Sequence, residues 1–243
     1  MIKMDDFSEI INWNNVFAQS KNFQTSKPCK FAFIENFFHE DFYKKLHDSY
    51  PKFDDNWDHV TTYDKNHWSR KWAGTTTHGV VCDGDDNSLS SEWNILKKYA
   101  STKEFSDNFK KFTNVAVEKL KHFHFIGMSQ GGFQLPHVHN VGPSTLVMML
   151  YFSKDWNKGD PGATYIASDL DESSIIFEPY NLDNTLVIFQ DSQYAIHGAR
   201  YLEKDVKRKA LQITLEGWSS TSGWSGGDPD KIIEERSKNL VEL

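Results

Sequence analysis

The chain has 243 residues and a net charge of −7, with both signs scattered along its length, so it carries no basic stripe and no nucleic-acid partner is expected. Two widely separated cysteines, Cys29 and Cys82, exclude a disulfide framework and a zinc ribbon, and point to a reducing, cytoplasmic setting. Asp5, Asp6 and Glu9 stand where a secretory leader would be basic, and no apolar run reaches membrane-spanning length, so neither a leader nor a membrane association is expected.

A single β-rich domain over residues 1–243 is compatible with this length, because barrels and sandwiches often reach it without splitting. Near the start, Phe7, Ile10, Ile11 and Trp13 suggest a helical turn against the body of the protein. Residues 31–38 read as a strand and residues 39–50 as a helix stopped by Pro51. Residues 52–86 are polar and punctuated by Trp57, Trp68 and Trp72, which suggests a long ordered loop. Such a loop over a barrel mouth forms a lid or substrate wall, unless its tryptophans serve only to pack it down.

Residues 88–120 read as helical, with Ser90 or Ser91 as cap, apolar positions at Trp93, Leu96, Tyr99, Phe105, Phe109 and Phe112, and a break at Ser101-Thr102. The period then changes to that of strands, expected at 123–128, 133–139, 145–152, 163–167, 174–177, 185–189, 194–199 and 209–215, with turn signals between them such as Gly131-Gly132 and Val141-Gly-Pro143. Strands of this number in two packed sheets make a jelly roll, a double-stranded β-helix whose mouth commonly houses a ligand. The expected layout is a jelly-roll core over about 121–218, helical and loop additions over 1–120, and a C-terminal helix over about 228–240 begun by Asp228-Pro-Asp. That helix would cover a sheet edge or pair two copies as a homodimer. Neither a phosphate-binding glycine loop nor a nucleophile elbow is present.

The chemistry-bearing stretch is Gln134-Leu-Pro-His-Val-His. On an extended strand His137 and His139 share a face, with Val138 on the other, and two imidazoles on one face can chelate a metal. His122 and His124 repeat the spacing, and a strand histidine can equally be a solvated polar position. A third histidine, His197, precedes a glycine, and Arg208 follows one strand later.

In this order the pieces resemble the iron(II)- and 2-oxoglutarate-dependent oxygenases, in their prolyl-4-hydroxylase-like branch. The resemblance runs from residue 131 to 218 through His137-Val-His139, the strand ending in Tyr-Phe-Ser-Lys-Asp-Trp156, Gly159-Asp-Pro-Gly-Ala163, the stretch ending in Leu-Val-Ile-Phe189, His197-Gly and Arg208. It implies an oxidoreductase, a dioxygenase that hydroxylates a small molecule or a protein side chain. Fe(II) would sit on His137, His139 and His197, and 2-oxoglutarate would place its far carboxylate on Arg208, since a guanidinium fork suits a carboxylate. The family's tyrosine at that carboxylate would be Tyr151, which reads equally as a core residue.

The family writes its first motif His-x-Asp, and here the carboxylate position is His139. An imidazole there leaves the site one charge more positive. Iron, a three-histidine zinc site independent of 2-oxoglutarate, a two-histidine site open to water or halide, and a non-catalytic binding protein on the same fold all remain open at this point.

Overall fold

The computed structural model describes residues 7–75, 81–139 and 141–217. The expected C-terminal helix, Trp218 and part of the 52–86 segment lie outside them. The fold is mainly β with flanking helices. Eleven strands occur among the described residues: β1 (Phe31–Glu35), β2 (Asp58–Thr62), β3 (Lys65–Lys71), β4 (Lys119–Met128), β5 (Phe133–His137), β6 (Thr145–Phe152), β7 (Thr164–Ala167), β8 (Ile175–Phe177), β9 (Asp183–Gln190), β10 (Ile196–Ala199) and β11 (Arg208–Glu216). They pair antiparallel in the order β1-β9-β6-β11-β4-β3-β5-β10-β7-β8, with β2 on β3, and the sheet curls over itself as a jelly roll.

The period of two decides what each side of the curl holds. From β6, β11 and β4, Leu146, Met148, Leu150, Phe152, Leu211, Ile213, Leu215, Phe123 and Phe125 turn outward into the larger core. The intervening Val147, Tyr151 and Ala210 turn inward, which leaves β6 apolar on both faces, while β11 and β4 also show polar side chains, Gln212 and His124, to the inside. Two helices, α4 (Ser91–Ala100) and α5 (Lys103–Thr113), follow the short α1 (Trp13–Ala18), α2 (Ser20–Thr25) and α3 (Glu40–Asp48) and complete the outer layer. Trp93 of α4 meets Phe125 and Phe152 edge-on, with ring centroids 4.9 and 5.2 Å away. Burying one such aromatic is worth roughly 1.5–3 kcal/mol. The break between α4 and α5 is a cap: Thr102 Oγ1 accepts from the Phe105 N–H at 3.2 Å, and Asn114 closes α5 in the left-handed region at φ 57°.

The expectation of a loop over 52–86 is corrected. Residues 58–71 form the β2–β3 hairpin, and β3 is a seam, pairing with β4 through Trp68–Lys71 and with β5 through Lys65 and Asn66. Trp57 and Trp72 pack into the core, and Arg70, 5% exposed, lies 3.6 Å from the equally buried Asp86 and donates to Ser88 Oγ. The opposite face of β3 is polar and lines a cavity inside the curl. The first strand is shorter than expected, because Asn36 takes φ 51° and turns Phe37 and Phe38 into the core.

Candidate metal centre

Two paired strands bring the histidines together. His137 closes β5 and is the direct cross-strand partner of His197 on β10. His139 lies past the end of β5, where a strand over 133–139 was expected. Its ring still turns to the side of His137, while Val138 packs the opposite way against Tyr165, Ala167 and Ile196. Ring centroids are 4.2 Å apart for His137 and His197, 4.7 Å for His139 and His197, and 5.2 Å for His137 and His139. One nitrogen from each ring lies within 4.8 Å of the others, close enough to hold one ion. Among the described residues no other group of three or more metal-ligating side chains has this geometry, so His122 and His124, stacked at 5.1 Å, remain a pair.

The backbone selects the tautomers. His137 Nδ1 is 2.9 Å from the Leu135 carbonyl and His197 Nδ1 is 2.8 Å from the Ala195 carbonyl. A carbonyl only accepts, so each Nδ1 carries the proton and each Nε2 presents a lone pair, the orientation metal-ligating histidines usually have. On His137 that lone pair accepts from the Gln134 side-chain amide at 3.2 Å. Burial holds His197 well below its usual pKa and pushes His139 down to about 3, with His137 adding to both. Neutral imidazoles are the form that binds a metal. The residue after His197 has to be glycine, because a Cβ on Gly198 would sit 2.6 Å from the Gln134 carbonyl and collide with the Tyr165 hydroxyl.

Arg208 starts β11 and opens on the same cavity. It is 1% exposed, so it is not a solvated charge in a basic run. Its Nη2 donates to Thr164 Oγ1 at 3.1 Å and to the Tyr151 hydroxyl at 3.4 Å, and the guanidinium lies over the Tyr151 ring at 5.1 Å. Nε and Nη1 are buried without a partner. A buried guanidinium with two empty donors and, among the described residues, no ion-paired carboxylate is costly until an anion arrives. Tyr151 occupies both positions that the sequence left open. It is fully buried in the inner core, and its hydroxyl accepts from the Thr164 N–H at 2.8 Å and touches Arg208.

The cavity has a volume of about 230 Å³, at the small end for a small-molecule site. Val147, Met149 and Phe189 form an apolar side, with the Phe189 ring 4.4 Å from that of His197. Lys65, His67, Ser69, His124, Gln134 and Gln212 also line it, none of which the sequence singled out for this role. Their signal is strand register, which is invisible until β3 is placed against β4.

The fold has solved relatives. The chain aligns with a Pseudomonas putida prolyl-4-hydroxylase at TM-score 0.58 and 14% identity, over 83% of this chain and 98% of that one. A prolyl hydroxylase from Trichoplax adhaerens, solved with a hypoxia inducible factor oxygen degradation domain peptide fragment, aligns at 0.54 and 12%, over 84% and 88%. HygX from Streptomyces hygroscopicus, solved with nickel and 2-oxoglutarate bound, aligns at 0.55 and 9%, over 83% and 87%. No protein-family model matches the chain, and no curated protein matches it in sequence. At these identities the likeness defines the fold, the jelly roll on which 2-oxoglutarate/iron(II) oxygenases are built. No helix among the described residues is long and apolar enough to cross a membrane.

Proposed function

We propose that the protein is an iron(II)- and 2-oxoglutarate-dependent dioxygenase, a hydroxylase, with His137, His139 and His197 as metal ligands and Arg208 and Tyr151 at the cosubstrate. The observation that carries this reading is that the two unpartnered donors of buried Arg208 belong to the cavity that the three histidines line. The donor set fits the ion, since the three rings converge and two have their Nδ1 protons committed to backbone carbonyls. The guanidinium fits a carboxylate, because its Nε and Nη1 N–H groups are buried without a partner and each can donate to an oxyanion.

Bound there, ferrous iron supplies substrate oxidation by dioxygen, coupled to decarboxylation of 2-oxoglutarate to succinate. The chain's own contribution is placement. The Leu135 and Ala195 carbonyls hold the two imidazoles in one tautomer and aim their Nε2 atoms. The Tyr151 hydroxyl and Thr164 Oγ1 fix the guanidinium plane through Nη2 and leave Nε and Nη1 for the ligand. Val147, Met149 and Phe189 keep one wall dry, which strengthens the charge pairing at Arg208. Gln134 now occupies the His137 Nε2 lone pair that would hold the metal, and its side-chain amide would have to release it.

The test is metal analysis of protein purified without chelator, together with succinate release from 2-oxoglutarate under air. Iron-dependent succinate formation that Arg208→Met removes is the expected result. Tight zinc binding with no 2-oxoglutarate affinity would favour a second reading, which the all-imidazole donor set supports, of a three-histidine zinc site independent of 2-oxoglutarate.

A further inference from the structure

The cavity holds recognition chemistry that neither the metal nor 2-oxoglutarate uses. On β3 the period of two turns Lys65, His67 and Ser69 to the cavity while Trp68 and Arg70 take the core side. His124 joins them from β4, with Gln212 directly opposite it on β11, and Lys65 lies opposite Gln134 on β5. Buried polar atoms normally have partners, yet His67 Nδ1 and His124 Nε2 have none.

The charge of this wall is one-sided. Among the described residues no Asp or Glu lines the cavity, whereas Lys65 and Arg208 both do, in a chain whose net charge is −7. A divalent ion on three neutral imidazoles and a dianionic cosubstrate would cancel, and the positive charges of the two side chains remain. A cleft of one sign with low-dielectric walls concentrates the opposite sign.

We propose that the β3–β4 wall is the substrate's recognition site, and that the substrate bears an oxyanion, a carboxylate or a phosphate ester, paired with Lys65 and hydrogen-bonded by His67, His124 and Gln212. This assignment rests on the oxygenase reading for what occupies Arg208 and the three histidines. Because the donors line the interior of the curl, the acidic group enters the barrel and sets which part of the substrate faces the metal. His67 and His124, each held near pKa 4 chiefly by burial, are neutral at pH 7 and can donate one hydrogen bond each.

The experiment uses the full-length chain loaded with zinc and saturated with 2-oxoglutarate, titrated with inorganic sulfate, and with dimethyl sulfone as neutral isostere. Sulfate is expected to shift the ring resonances of His67 and His124 and to bind with measurable heat, while the sulfone does neither. Lys65→Met should weaken sulfate about tenfold, as loss of a charge partner does, and 2-oxoglutarate less than about threefold. If Lys65→Met fails to fold, Lys65→Gln keeps the side-chain length and carries the same expectation. Sulfate affinity unchanged by Lys65→Met and by His124→Phe would mean an adventitious ion only and overturn the proposal, as would equal binding of the sulfone or no binding of sulfate. The two readings fail separately. If Arg208→Met leaves 2-oxoglutarate affinity intact, the oxygenase assignment falls, and Lys65-dependent sulfate binding still reports the wall.

Discussion

His137 and His197 are direct partners across the antiparallel β5/β10 ladder, with ring centroids 4.2 Å apart, although the whole of β6 to β9 intervenes in the chain. An ion shared between them would reinforce the pairing of two strands that lie far apart in the chain. Iron or manganese is therefore expected to raise the melting temperature, by the equivalent of about 2.7 kcal/mol at a hundredfold excess over Kd. His137→Ala and His197→Ala should each abolish the shift. A shift that survives both puts the ion elsewhere, with His122 and His124 the first place to look.

Arg208→Met is expected to weaken 2-oxoglutarate binding to the metal-loaded protein by about 2–5 kcal/mol, the usual loss when a desolvated charge pair is truncated. The metal-free fold should be no less stable, because the variant removes a buried guanidinium with unpaired Nε and Nη1. Calorimetric titration checks the first effect and urea denaturation the second. An unchanged affinity refutes the assignment of Arg208 to the cosubstrate.

Tyr151→Phe separates the tyrosine's structural role from its part in binding. Its hydroxyl accepts from the Thr164 N–H at 2.8 Å, and stranding that buried donor should cost about 1–3 kcal/mol of stability. The affinity for 2-oxoglutarate should fall by less than in Arg208→Met, since Thr164 Oγ1 still steers the guanidinium at 3.1 Å. Equal losses in the two variants would make Tyr151 a direct ligand.

His139→Asp places a carboxylate where the resembled family has one and lowers the site's charge by one unit. Iron affinity should hold or rise, and iron-dependent succinate formation with it. Loss of iron binding in this variant would mean that the backbone past β5 delivers an imidazole to the ion and leaves a shorter side chain out of reach.

The pH dependence has a definite sign. Burial is the main cause that lowers His67, His122 and His124 from 6.5 to about 4. Below 6.5 the unfolded chain takes up protons that the folded chain refuses, so the stability they contribute is present above about pH 6.5 and is lost on descent towards 4. Each histidine adds up to about 1.4 kcal/mol per pH unit within that window. Asp191 runs against them. Burial raises it from 3.8 to about 6, so it favours the folded state at low pH and loses that contribution as pH rises through 6, which offsets part of the slope. Urea denaturation between pH 4 and 7 should show stability rising with pH, and His124→Asn should flatten the rise. A flat profile in the unaltered protein would contradict the buried state of these rings.

How much was legible follows from what each strand shows to its two sides. β6 and β9 read clearly because both their faces pack, so their apolar runs survive in the sequence, as in the stretch from Leu146 to Phe152. His137, His197 and Arg208 were legible through their order across successive strands, and the break before α5 through Thr102. The β2–β3 hairpin was not, because β3 carries Lys65, His67 and Ser69 on one face and a buried ion-paired Arg70 on the other, which erases the alternation that marks a strand. Missing β3 concealed the cavity wall, since only its register against β4 and β5 sets those side chains beside His124 and Gln134.

The double pairing of β3 gives the barrel an uneven seam as well as a wall. Four register pairs bind it to β4, from Trp68 to Lys71, and two bind it to β5, at Lys65 and Asn66. The seam with β5, the strand that ends in His137, is the shorter of the two, and the Leu135 N–H adds one bond across it, to the Asp64 carbonyl at 2.8 Å. The amides of Phe133 and Gln134 are therefore expected to exchange with solvent ahead of those in β6 and β11.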